Sequence, residues 1–141
     1  MSEQSDVDLV RRGYEALARG DLEGLLSIAD PEIEWHPPPN FPEPGPRRGI
    51  EAIRRGLRAY AETFEYFHTE PRRLLTTERP GEVLALARTR TCGKESGAEV
   101  TTEVAHLLTV RDGAVVRFEV IPDQREALRR VGLDPSLAGD V

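Results

Sequence analysis

Besides its carboxylates, this 141-residue sequence has few side chains that could move a proton or attack a bond: three histidines, three tyrosines and one cysteine. His36 has the most suggestive setting, closing the alternating stretch Ile33-Glu34-Trp35-His36 just before Pro37-Pro38-Pro39. Prolines lack the amide donor a strand needs, so the strand is expected to stop there. A histidine at its end, at the mouth of an apolar cavity, could act as a general base, because an imidazole titrates near physiological pH. Tyr14 and Tyr60 fall on the apolar stripes of helical segments, where a phenol could donate to an oxyanion. The plainer reading makes His36 a strand-end residue bonded to backbone or water and both tyrosines packing residues. Trp35 should face opposite to His36 and serve as a core anchor and pocket wall.

Other chemistries find no support in the spacing. His36, His68 and His106 come from separate segments without paired spacing, Cys92 has no ligand pattern around it, and no glycine-rich phosphate cradle follows a strand. Neither a metal nor a cofactor is expected, and any reaction would be acid–base work. Asp123 reads as a helix cap. Arg88, Arg90 and Glu103 read as a charge ladder on a sheet, for which solvated or interfacial ion pairs are the usual meaning.

The totals bound the container. A chain of 141 residues suits one domain, 1–141, with a real core. Its net charge of −6, from 25 acids against 19 bases, has the arginines scattered in pairs, which argues against nucleic acid. One cysteine excludes an internal disulfide, and no apolar run suggests a signal peptide or membrane span, so a cytoplasmic protein away from membranes is the expectation.

The elements that must position these residues follow from periodicity and caps. Ser5 with Asp8 resembles a capping box for a helix from about Asp6 to Ala18. Asp21 caps a second, ended at Asp30-Pro31. The strand Ile33–His36 leads into a proline-rich loop, Pro37 to Gly49, long enough to form a rim or lid. Ile50, Ile53, Leu57, Tyr60 or Ala61, and Phe64 mark a third helix. Strands are expected within Tyr66–Thr77, with Pro71 at an edge or bulge, and over Val83–Thr91, Glu99–Val110 and Ala114–Ile121. Arg79-Pro80-Gly81-Glu82 has the residues of a type II turn, and Asp112-Gly113 those of a tight hairpin. A last helix begins at Asp123 and stops at Gly132-Leu133. Helices followed by antiparallel hairpins predict an α+β cone, with helices packed on a curved antiparallel sheet.

Counting back from the Asp112-Gly113 turn pairs Thr109 with Val116, Leu107 with Phe118 and Ala105 with Val120, and this apolar face is expected to line the pocket with Trp35 and Leu57. The same count places His106 opposite Glu119 on the other face. Val83, Ala85, Ala87, Thr89 and Thr91 share a side whose small residues leave room for a helix or ligand. Leu84, Leu86 and Leu108 are left on the other side, where they suggest a homodimer interface.

These elements resemble the NTF2-like superfamily, and within it the SnoaL-like proteins related to ketosteroid isomerases and polyketide cyclases. The resemblance rests on Arg19-Gly20-Asp21-Leu22-Glu23, Trp35-His36-Pro37, Gly49, Ser96-Gly97-Ala98-Glu99-Val100, Ala105-His106-Leu107, Val110-Arg111-Asp112-Gly113 and the ending Glu126-Ala127-Leu128 to Gly132-Leu133. It covers nearly the whole chain and implies the cone fold. It does not imply one activity, since the superfamily holds isomerases, cyclases, epoxide hydrolases, dehydratases and non-catalytic binders. Ketosteroid isomerases work with carboxyl groups tuned by their surroundings; in this chain the position of their base holds His36, that of their oxyanion aspartate falls on Ala105, and their oxyanion tyrosine is one residue out of register with Tyr14. The chain is similar to SnoaL-type cyclases at His106, but their acid falls on Val120, and the Arg and two Asp set of limonene-type epoxide hydrolases is missing. The expected function is binding of a small apolar molecule, with cofactor-independent isomerase, cyclase or dehydratase chemistry as one reading. A non-catalytic binding or dimerisation domain is the other.

Overall fold

The computed structural model describes residues 2–38 and 45–139. Helix α1 spans Glu3–Ala18; it starts three residues before the expected point because Ser2 and Ser5, rather than Ser5 and Asp8, form the capping box. Asp21 caps the five-residue α2, Leu22–Leu26, by accepting a bond from the Gly24 amide at 2.9 Å. Strand β1 then runs over Ala29–His36, so Asp30 and Pro31 lie inside a strand and not at a helix end. Its pairing with β6 is irregular between Ala29 and Glu34, which accommodates a proline that has no amide to donate. The short β2, Arg47–Arg48, pairs with β1, while residues 39–44 of the expected proline-rich rim lie outside the described residues.

Helix α3 occupies Ile50–Thr63, followed by β3 (Phe64–Thr76), β4 (Glu82–Gly93), β5 (Glu99–Arg111), β6 (Ala114–Ile121), α4 (Gln124–Arg130) and a 3₁₀ turn, Pro135–Ala138. The strands form one sheet in the order β2-β1-β6-β5-β4-β3, antiparallel except where β1 runs parallel to β6. Pro71 is both on an edge strand and at a register break, as expected of a residue that cannot donate to a ladder. Gly81, at φ 80°, completes the Arg79–Glu82 turn, which the Glu82 amide closes on the Arg79 carbonyl. Gly132, at φ 77°, lets the Leu133 amide return to the Leu128 carbonyl, the expected Schellman stop.

The two faces of the sheet separate cleanly. On the inner face, Val83, Ala85, Leu108, Val110 and Val115 pack with Val7, Val10 and Tyr14 of α1 and with Ile33. On the outer face, Leu84, Leu86, Ala105, Leu107 and Ile121 pack under Ala127 and Leu128 of α4, with Leu137 of the 3₁₀ turn alongside. Leu84 and Leu86 are 0% and 2% exposed beneath their own chain, and Leu108 lies on the inner face. The apolar surface on which a dimer seam was expected is therefore already covered.

One residue decides which side chains share the inner face. The Asp112-Gly113 turn holds as expected, with Arg111 opposite Ala114 and Val110 opposite Val115. The next pair is Thr109 with Arg117, so Val116 is an extra residue, a bulge in β6. Beyond it every β6 side chain changes faces relative to the regular count: Leu108 opposes Phe118 and His106 opposes Val120. Ala105 and Leu107 keep their own alternation along β5 and lie in the outer cluster, away from the pocket where they were expected, because α1 packs on the face of Leu108 and Val110.

Candidate functional site

Between the helices and the inner face lies a cavity of about 460 Å³. Small residues leave the room: Ala29, Gly13 and a set of threonines line it where larger side chains would fill it. Gly56 of α3 shapes one wall, because a Cβ there would run into the Trp35 ring. Trp35 thus presses onto the helix backbone while the Arg47 guanidinium lies over its ring, 5.9 Å from the centroid. Tyr60, with Phe64 and Phe67 stacked beside it at centroid distances of 5.7 and 4.8 Å, forms an aromatic wall. Exposed Val100, at 53%, lies on the rim.

The cavity places the expected residues unequally. Tyr14, Tyr60, Trp35, Leu57, Phe118 and Val120 line it; Ala105 and Leu107 do not. Neither does His36. Trp35 pairs with Phe118 and faces the cavity, so by the alternation of a strand His36 turns to the opposite face beside its partner Glu119. There His36 Nε2 sits 3.6 Å from Glu34 Oε1. Nor do His106 and Glu119 form a cross-strand pair: Glu119 accepts two bonds at 2.9 Å from Arg130 of α4, which hold its carboxyl below the usual range.

The histidine of the cavity is His106. Its Nδ1 lies 2.5 Å from the Tyr14 hydroxyl, its ring is stacked on that of Tyr14, and Phe118 covers it at 4.8 Å between centroids. Both residues are buried, at 7% exposure each. Burial pulls the His106 pKa down to about 4 and raises that of Tyr14, so both groups are neutral across the physiological range. Burial also raises the Tyr60 phenol, to about 12. Tyr14, Tyr60 and His106 are the titratable groups among the described lining residues, and no carboxylate is among them. No cluster of three potential metal ligands occurs among the described residues.

A neutral Tyr–His pair has two arrangements of its protons. If the phenol donates to Nδ1, the proton of the imidazole sits on Nε2 and can be donated to a ligand. If Nδ1–H donates to the phenol oxygen, the phenol proton is free and Nε2 becomes an acceptor. In either case the pair offers one donor and one acceptor, with no hydrogen bond from the described residues to Nε2. Regular counting from the hairpin missed His106 because nothing in Val115-Val116-Arg117 marks a bulge. The signal that could have found it was the likeness of Ala105-His106-Leu107 to the cyclases.

Comparison with known proteins agrees with this architecture. A SnoaL-like domain model matches residues 10–118. An uncharacterised protein of Mycobacterium bovis is 30% identical over 118 residues, covering 84% of this chain and 88% of that protein. Among solved structures, an NTF2-like protein of unknown function from Burkholderia pseudomallei superimposes with a TM-score of 0.77 at 24% identity, covering 93% of this chain and 98% of the other. TerC, co-crystallised with polyporic acid, gives a TM-score of 0.75 at 23% identity over 90% of this chain and 97% of its own. No helix among the described residues is long and apolar enough to cross a membrane. With the inner-face cavity, the sheet order and a family model spanning most of its length, the chain belongs to the SnoaL-like family of the NTF2-like superfamily.

Proposed function

We propose that the cavity binds a small, largely apolar molecule carrying a carbonyl oxygen, and that the Tyr14–His106 pair relays protons on it without a cofactor. The observation that carries this reading is the buried 2.5 Å bond between Tyr14 and His106 Nδ1 in a cavity whose other walls are mostly apolar. A donor in such a setting orients a ligand and polarises the oxygen it bonds. With a pKa near 4, His106 is a poor base by itself, but the pair need not become charged. As His106 Nε2 gives its proton to the carbonyl oxygen, Tyr14 passes its own to Nδ1 and takes one, through an intervening water, from the carbon next to the carbonyl. An enol results, the pair is left neutral in its other tautomer, and the reverse transfer at a different carbon gives an isomer. TerC, a relative in fold, offers a precedent for a small-molecule ligand on this scaffold.

The lack of a carboxylate among the described lining residues favours a second reading, in which the ligand is bound and released unchanged. Both are tested with 2-acetylnaphthalene in deuterated buffer. Turnover predicts that the compound raises the protein's melting temperature, that the protein accelerates exchange of the compound's methyl protons seen by NMR, and that His106→Phe abolishes the exchange. Binding without accelerated exchange would leave the second reading. Failure of His106→Phe to weaken binding would remove the pair from ligand recognition altogether.

A further inference from the structure

A second space, of about 320 Å³, lies beside the cavity between α1 and the edge strand β3. Tyr14, Leu17, Phe67 and Thr69 line both spaces, so these four residues form the septum between them. The septum is closed: Tyr14 and Thr69 are buried, Leu17 and Phe67 half-buried. The two spaces differ in chemistry. Apart from the Tyr14–His106 pair, Tyr60 and the threonines, the cavity is walled by apolar groups, whereas Arg11, Glu15, His68 and Glu70 surround the second space and all four are exposed. Arg11 pairs with Asp8 at 3.2 Å, but the carboxylates of Glu15 and Glu70 have no ion-pair partner among the described residues. Because β3 ends the sheet, its outward backbone groups beside this space have no further strand to bond. Held water needs several polar partners, and this space supplies them with room for more than one molecule.

We infer that this second space is a water port for the Tyr14–His106 pair: water enters it from solvent, passes the septum beside Tyr14 and exchanges hydrogens with the phenol, while the ligand comes and goes by the apolar mouth near Val100. The proton relay creates the need. Tyr14 takes the carbon's proton through a water, yet a ligand seated against His106 fills the cavity and closes its apolar mouth. That water is then supplied from the other side of Tyr14, where the second space borders it. The exchange balances, because the water takes up the departing proton and yields one of its own to the phenol oxygen, leaving the pair uncharged. Passage needs no backbone movement, since the half-buried side chains of Leu17 and Phe67 change rotamer far faster than an enzyme turns over. The charged rim keeps the routes apart: an apolar ligand entering there would strip water from Glu15 and Glu70 without replacing its hydrogen bonds.

This inference rests on the relay reading above for its purpose, but its test is read without a ligand. In histidine-labelled protein the proton shared by Tyr14 and His106 Nδ1 is followed by NMR, and its exchange with water is compared in the wild type, Ala18→Phe, Ala18→Leu and Val100→Phe. Ala18 is exposed, ends α1 and lines the second space but not the cavity, so a larger side chain there plugs the port without touching the pair. Ala18→Phe should slow the exchange about tenfold, with the backbone amides of α1 and the melting temperature unchanged. Ala18→Leu, a smaller plug that keeps a good helix former, should slow it less. Val100→Phe, which narrows the apolar mouth, should leave it as it was. Exchange untouched by Ala18→Phe, or slowed more by Val100→Phe, overturns the port; so does slower exchange matched by equal protection of the α1 amides, which would mean only a stiffer helix. The compound 2-acetylnaphthalene then separates the two readings. If Ala18→Phe slows the shared proton but the wild type does not accelerate methyl exchange, the port stands as the pair's route to solvent and the relay falls. If the wild type accelerates methyl exchange and Ala18→Phe changes neither rate, the relay stands and the port falls.

Discussion

The two faces of the sheet use neighbouring residues of the same strands to opposite ends. On the outer face, Leu84, Leu86, Leu107 and Leu128 meet with little space between them, and α4 seals the contact. On the inner face, the alternate residues Ala85, Thr89 and Thr91 of β4 are small, and the helices stand off far enough to leave about 460 Å³. Both faces are apolar, so burial alone does not distinguish them. Side-chain volume does: close packing on one side supplies stability, and its omission on the other supplies a site that must be stabilised from elsewhere. The polar groups follow the same division. Outside, Glu119 is tied to Arg130 and Arg117 in partly solvated ion pairs; inside, His106 and Tyr14 stay neutral and bond each other.

Truncation on each face gives the largest test of that contrast. Leu128→Ala should cost about 4 kcal/mol in chemical denaturation, because it opens a cavity in a closed cluster. Leu57→Ala on the cavity wall should cost under about 1 kcal/mol, since it enlarges a space that already exists. Equal costs would mean that the inner face closes up in solution.

The pH dependence probes the same division through His106. Its pKa of about 4 in the folded chain lies below the ordinary 6.5, so the unfolded chain holds more protons between those values. Its contribution is therefore fully present above pH 6.5 and is lost as pH falls toward 4, on the order of 3 kcal/mol in all. Melting curves from pH 7 to 4.5 should show this decline, and His106→Phe should flatten it. A slope unchanged by that substitution would assign acid sensitivity to the outer ion pairs.

A smaller effect sharpens the role of the Trp35 wall. Gly56→Ala should destabilise by about 2 kcal/mol, because the new methyl enters the Trp35 ring and forces the ring toward the cavity. It should also weaken 2-acetylnaphthalene binding, and a variant that loses stability without losing affinity would place Trp35 outside the ligand's reach. The smallest effect belongs to His36→Ala, expected to change stability by under about 0.5 kcal/mol and leave ligand affinity intact. A loss of affinity there would return His36 to the site and break the division between the faces.

The sequence resolved elements with local causes. Asp21 as a cap, the Arg79–Glu82 turn, Pro71 at an edge and a bulge, and the Gly132 stop are each dictated by a few adjacent residues, and each is found where its residues predicted. The sorting of β4 into Leu84 and Leu86 against Val83 and Ala85 was equally legible, since it needs only the alternation of one strand. The alternation that placed Trp35 opposite His36 also contained the answer about His36: once the tryptophan faces the cavity, the histidine cannot.

By itself, then, the sequence determined the order of elements, the α+β cone, the membership of its family and the small-residue strand that leaves room for a cavity. The tertiary structure alone decided which histidine enters it. A bulge at Val116 needs no glycine or proline and leaves no local mark, yet with a side-chain period of two it moves Phe118 and Val120 from the face of Ala105 and Leu107 to the face of His106. The partnership of Tyr14 and His106, 92 residues apart in the chain, likewise exists only because α1 packs across that face. Local sequence fixes local geometry, but the identity of a site is a question of register, and register is settled by how the whole sheet is packed.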